Sequence, residues 1–285
     1  MTVIALCSLK GSPGVTTTAV ALAATWPTAG HPVVIECDPA GGDLLARYRL
    51  DLYPGLVTLA AATRRYGTDP GLIWHHTQRL PGGLPVVPGP PGADQARVSL
   101  AELVQAELAL KRAAMRPGTV VLADCGRVEP GSPTLPLIRA ADILLLVAGT
   151  GDDALAHLAV SMHQAGVWST RPRLLLVGEG YPTDEIAQAL GTAELGVGIS
   201  GRLPYDPAGA AMFGGHPAPR ATPARSRLGQ AAAQLAARVA RDALVTGGPR
   251  GHPEASRAAA HNDERAAQPT DFSEFTVPST YRILQ

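Results

Sequence analysis

The feature that most constrains this chain is a unit that recurs along it: a short apolar run, a turn rich in Gly, Pro or Asp, then a helical stretch. Residues 3–9 (VIALCSL), 32–37 (PVVIEC), 84–87 (LPVV), 119–123 (TVVLA), 142–148 (DILLLVA) and 173–177 (RLLLV) are such runs, with a weaker one at 197–203. They are too uniformly apolar to alternate between core and solvent. Strands of that kind are buried on both faces, as in a parallel sheet. The stretches at 16–26, 56–64, 70–77, 100–115, 153–165, 183–190 and 226–244 read as helices. Strands alternating with helices predict a three-layer α/β/α domain around a mostly parallel central sheet. Periodicity fades near the end, so residues 1–245 read as one domain and 246–285 as a disordered C-terminal tail.

Composition narrows the function classes. The 285 residues include 24 Lys+Arg and 24 Asp+Glu, and 46% are hydrophobic. Such a chain can bury a large core and is not disordered throughout. Zero net charge provides no general electrostatic attraction to nucleic acid or acidic lipid, which leaves only a local patch. Arg220, Arg225, Arg227, Arg238 and Arg241 make the last helical region basic; a solvated face is the first reading, non-specific DNA binding the second. Cys7, Cys37 and Cys125 are too few and scattered for a disulfide framework, and none has zinc spacing. Cys37 and Cys125 read as small buried hydrophobes, and the adjacent His75 and His76 as surface residues. No apolar stretch approaches the ~18 residues of a membrane span. The first residues also lack the basic start of a secretory signal, so a cytoplasmic protein is expected. All but two of the basic residues are arginine, and the exceptions are Lys10 and Lys111.

Lys10 opens the turn that follows the first strand: Lys10-Gly11-Ser12-Pro13-Gly14-Val15-Thr16-Thr17. A Gly-rich turn between a strand and a helix presents backbone N–H groups to an anion, and the helix start adds the positive end of its dipole. Thr16 stands where a hydroxyl can reach Mg²⁺. Ligands in such sheets bind beyond the carboxyl ends of the strands, where this turn lies. The usual phosphate-loop ending is Gly-Lys-[Ser/Thr], but here Val15 occupies the lysine position.

With a lysine ahead of the loop, the turn resembles the deviant Walker A motif of the ParA/MinD family, Lys-Gly-Gly-x-Gly-Lys-[Ser/Thr]-Thr. Lys10, Gly11, Gly14, Thr16 and Thr17 match it, whereas Ser12 and Val15 depart from it. Further segments resemble the family in the same order along the chain. Glu36-Cys37-Asp38-Pro39-Ala40-Gly41-Gly42-Asp43 is similar to the family's Asp-x-Asp-Pro-Gln-Gly-Asn, and residues 120–124 (VVLAD) to its Walker B strand. Leu203-Pro204-Tyr205-Asp206 resembles the Ile-Pro-Tyr-Asp segment that lies near the adenine. Gly178-Glu179 stand where family members often carry an adenine-contacting Asn.

The resemblance implies ATP or ADP with Mg²⁺ as cofactors. Residues 10–17, Pro204 and Asp206 would bind the nucleotide, and Thr16, Asp38 and Asp124 would serve the metal. Asp38 would orient or activate the attacking water. Lys10 would reach phosphate across a nucleotide-sandwiched homodimer. It implies a switch that positions a protein partner or cargo such as a chromosome, plasmid, division site or pilus machine. Loss of the ammonium at position 15 weakens charge neutralisation as the γ-phosphoryl departs, so weak or absent hydrolysis is expected. An arginine could replace that charge, and Arg47 and Arg127 lie near the relevant segments. The alternatives are a pseudo-ATPase scaffold or regulator on the same fold and, third, an ATP-dependent metabolic enzyme.

Overall fold

A computed structural model describes residues 2–66, 69, 71–105, 116–216 and 222–245. The tail expected at 246–285, Arg220, Lys111 and the later part of the helix expected at 100–115 lie outside these residues. The strands are β1 (Thr2–Ser8), β2 (His31–Glu36), β3 (Gln78–Arg79), β4 (Pro85–Val87), β5 (Thr119–Arg127), β6 (Ile143–Gly149), β7 (Pro172–Val177) and β8 (Gly198–Leu203). They form one sheet in the order β3-β4-β2-β5-β1-β6-β7-β8. Every pairing is parallel except the short antiparallel β3/β4 pair at one edge.

The two-residue period of a strand divides its side chains between the faces of this sheet. Val3, Ala5 and Cys7 join one core cluster, with Val33, Ile35, Val121 and Ala123. Ile4 and Leu6 join another, with Val34, Leu122 and Leu145. Helices cover both. The first cluster includes residues of α3 (Leu56–Tyr66), α4 (Leu72–His75), α5 (Ala93–Gln105), α6 (Leu135–Ala140), α7 (Asp152–Ser161), α8 (His163–Trp168) and α9 (Thr183–Ala189). The second includes α1 (Val15–Ala24), Leu44 of α2 (Leu44–Tyr48) and one face of α11 (Arg227–Val245). α10 (Pro207–Met212) follows β8. The expected α/β/α layering around a mostly parallel sheet is present.

Several boundaries differ from expectation, each for a local reason. β5 continues past Ala123 to Arg127, which places Asp124 inside the strand opposite Leu6 and Glu36. The helix expected from residue 100 begins at Ala93, seven residues earlier, where the Ala96 N–H reaches the Gly92 carbonyl. The helix expected at 153–165 is two helices, with Met162 between them. α1 ends at Ala24, and the Thr25 hydroxyl donates to the Ala21 carbonyl at 2.7 Å. β3, α2, α6 and α10 were not expected, because pieces of two to six residues show no period. α11 is amphipathic: Leu228, Ala232, Leu235, Ala236 and Val239 are buried, while Arg227, Arg238 and Arg241 face outward. Its apolar stripe is engaged in the core. Among the described residues no helix is long and apolar enough to cross a membrane.

Candidate nucleotide site

The loop after β1 enters α1 through Gly14, whose φ of +90° is left-handed and favours glycine. No side chain caps α1. Its first-turn N–H groups are therefore open to an anion, as at other phosphate-binding helix starts. A cleft of about 1000 Å³ lies in front of them. Gly11, Ser12, Gly14, Val15, Thr16 and Thr17 form one wall, Asp38, Asp43 and Arg47 a second, and Gly126, Arg127 and Glu129 a third. The cleft thus collects the carboxyl ends of β1, β2 and β5. Pro13 belongs to the loop but is absent from the wall.

Val15 is 6% exposed and belongs to the apolar cluster of Ile4, Leu6 and Val34. The position that is lysine in most phosphate loops is here part of the core. Lys10 is exposed and does not line the cleft of the single chain.

Asp124, in β5 beside Thr16, is wholly buried behind the cleft and does not itself line it. Its Oδ1 accepts the Gly126 N–H at 3.1 Å, while Oδ2 has no hydrogen-bond partner among the described residues. Burial pushes its pKa up to about 6, against the Thr16 hydroxyl and the Gly126 N–H, which lower it; the nearby Asp38 charge raises it and Arg47 lowers it. A buried acid with an idle oxygen beside a helix-start threonine suits Mg²⁺. That ion is held by one or two carboxylates plus phosphate oxygens and waters rather than by a protein cage. Among the described residues no group of three His, Cys, Asp or Glu forms such a cage.

Asp38 is half-buried. Its Oδ1 accepts the Ala40 N–H at 2.7 Å, and burial raises its pKa, with the Asp43 charge adding to the rise. Gly126 lies against it: φ is +58°, and a Cβ there would sit 1.9 Å from Asp38 Oδ2. Only glycine leaves room for this carboxylate.

Two contributors went unrecognised or unplaced in the sequence. Glu36 is almost fully buried and accepts N–H bonds from Asp43 (2.8 Å), Leu44 (3.0 Å) and Gly89 (2.9 Å). It ties the start of α2 and the loop after β4 to the end of β2, which is why so short a helix forms. Burial, then the Asp124 charge, pushes its pKa up to about 8 in spite of those donors. The available signal was an acid ending an otherwise apolar strand. Arg47 lies on the wall of the cleft; its Nη1 donates to Thr17 Oγ1 at 3.3 Å and its Nη2 to Asp43 Oδ2 at 2.6 Å. Arg127 also lines the cleft and pairs with Glu129. Arg97 of α5, not singled out in the sequence, lines it too.

Pro204 and Asp206 do not line this cleft. Asp206 caps α10 through the Gly209 N–H at 2.9 Å and accepts the Leu228 N–H of α11 at 3.0 Å. The Leu228 bond, then that of Gly209, holds its pKa below the ordinary value. Glu179 pairs with Arg227 at 3.3 Å. Cys7, Cys37 and Cys125 are fully buried, and burial drives their thiol pKa values up, that of Cys7 to about 12, so they are inert packing groups. His75 is exposed, but half-buried His76 places Nδ1 2.7 Å from the Thr58 hydroxyl.

No protein-family model and no curated protein matches the chain. Solved structures do. A ParA family ATPase from Chlorobium tepidum is 17% identical, with 83% of this chain and 98% of that one covered and a TM-score of 0.64. The septum site-determining protein MinD from Pyrococcus horikoshii, in complex with Mg-ADP, is also 17% identical, covering 87% and 99% with a TM-score of 0.64. Cobyrinic acid a,c-diamide synthase from Mycobacterium smegmatis, bound to an ATP analogue and magnesium, is 20% identical, covering 87% and 97% with a TM-score of 0.52. Likeness over nearly the whole of each of these proteins, at so low an identity, is likeness of fold: this chain has the α/β/α fold that they share.

Proposed function

We propose that this chain is a nucleotide-dependent switch of ParA/MinD type that acts in spatial positioning or partitioning, with weak or absent ATP hydrolysis. The observation that carries the reading is buried Asp124, which neighbours Thr16 at the uncapped start of α1 and keeps Oδ2 without a hydrogen-bond partner among the described residues. Backbone N–H groups of residues 11–17 would bind the phosphates. Thr16 and Asp124 would hold Mg²⁺, which neutralises phosphate charge when bound. Asp38, held by the Ala40 N–H and given room by Gly126, would orient water and accept its proton on a carboxylate oxygen. Lys10, exposed and outside the cleft, would act between chains of a homodimer rather than within one. A protein partner or cargo would read the ATP-bound dimer.

The pseudo-ATPase reading is favoured by one observation. Val15 is packed into the core, so position 15 supplies no ammonium to stabilise charge in phosphoryl transfer. A change of association state with ATP separates the switch from a scaffold indifferent to nucleotide, and binding tests both. Calorimetric titration with ATP is expected to show binding that weakens when Mg²⁺ is withdrawn. Gel filtration should shift toward a dimer with ATP. Absence of both ATP and ADP binding sinks the switch, and an unchanged monomer at saturating ATP removes the sandwich dimer.

A further inference from the structure

We propose that Arg47 is the phosphate-holding cation of this cleft, replacing from a neighbouring helix the lysine that the loop lacks at Val15. The inference rests on the nucleotide reading above. A polyphosphate brings several negative charges to the first turn of α1, where the backbone contributes only partial positive charge. Val15 is buried among apolar residues, and Lys10 lies off the cleft wall. Three arginines line the cleft, but their situations differ. Arg97 is exposed on α5, and Arg127 is paired with Glu129. Among the described residues, Arg47 is the arginine that bonds to the first turn of α1, through Thr17 Oγ1.

Its carrier is fixed. The Glu36 carboxylate holds the N–H groups of Asp43 and Leu44, and the Tyr48 hydroxyl donates to the Phe213 carbonyl. The guanidinium is still accessible, with 31% of its side chain exposed, and its other partner, Asp43, is 59% exposed. Exposed pairs of this kind are weak, so arriving phosphate can displace Asp43. A guanidinium carries five donors, enough to keep Thr17 and take phosphate oxygens in a fork.

The test is the ATP affinity of the full chain in Mg²⁺, measured by calorimetry for wild type, Arg47→Ala, Arg47→Gln and Arg47→Lys. Far-UV dichroism checks that each variant folds. The neutral variants should bind ATP about 10- to 100-fold more weakly, the span of one charged hydrogen bond. Arg47→Lys should recover a large part of the loss. Neutral variants as tight as wild type overturn the assignment while the nucleotide reading stands. So does an equal loss in Arg47→Lys and Arg47→Gln, which would show that shape and not charge matters. If Arg47→Ala does not fold, the Gln and Lys pair carries the same comparison. A wild type that binds no nucleotide overturns the reading beneath it.

Discussion

Two corners of this molecule carry acids that match motif positions, and their acids stand in opposite states. Asp124, inside β5, is wholly buried with Oδ2 unpartnered among the described residues. Asp206, after β8, has both oxygens engaged by backbone N–H groups of two helices. The first holds bonding capacity in reserve beside Thr16 of the cleft wall. The second is a structural clamp outside it. A motif match identifies a position, but its remaining hydrogen-bonding capacity decides whether it can serve a ligand.

The comparison breaks most directly at Asp124. Asp124→Asn keeps the shape and removes the charge, and should lower Mg²⁺-dependent ATP affinity about 10- to 100-fold, the usual scale for groups that organise a metal. The readout is the ratio of Kd with and without Mg²⁺, and an unchanged ratio would place the metal elsewhere. Asp206→Ala should do the reverse, costing about 1–2 kcal/mol of stability, as loss of a helix cap does. Urea unfolding measures that cost, and ATP affinity should stay at the wild-type value. Gly126→Ala sharpens the contrast from within the cleft. Its Cβ displaces Asp38, so phosphate release should fall more than affinity does, on top of a strain of roughly 1 kcal/mol at positive φ.

pH separates the buried acids from the clamp more gently. Glu36 and Asp124 have folded-state pKa values raised from 4.5 to about 8 and from 3.8 to about 6. Unfolding lets both ionise more readily, so stability should fall as pH rises from about 4 to 8. Asp206, with a lowered pKa, contributes in the opposite sense below its ordinary titration range. Melting temperatures across that range check the sign, and Glu36→Gln should flatten the upper part of the curve. A profile that rises toward pH 8 would contradict the burial of these acids.

Much of the fold was legible because short apolar runs bounded by turn residues and alternating with helical stretches read as buried strands, and their order implied the layers. The loop at residues 10–17 was legible too, since glycines before a helix have a specific backbone use. Glu36 and Arg47 were not. Their roles arise from contacts across tens of residues, Glu36 to Gly89 and Arg47 to Thr17, which no local spacing encodes. The β5 boundary was missed because Asp124 and Gly126 look like turn residues, whereas Asp124 pairs with β1 and β2 and, past a register shift, Arg127 pairs again with Ser8.

The Glu36 carboxylate has a dynamic consequence. It gathers the amides of Asp43, Leu44 and Gly89 on two oxygens, so these backbone groups, distant in sequence, should exchange hydrogen with solvent as one set. The segments that frame the cleft would then open together or stay shut together, with a single buried acid as their common latch.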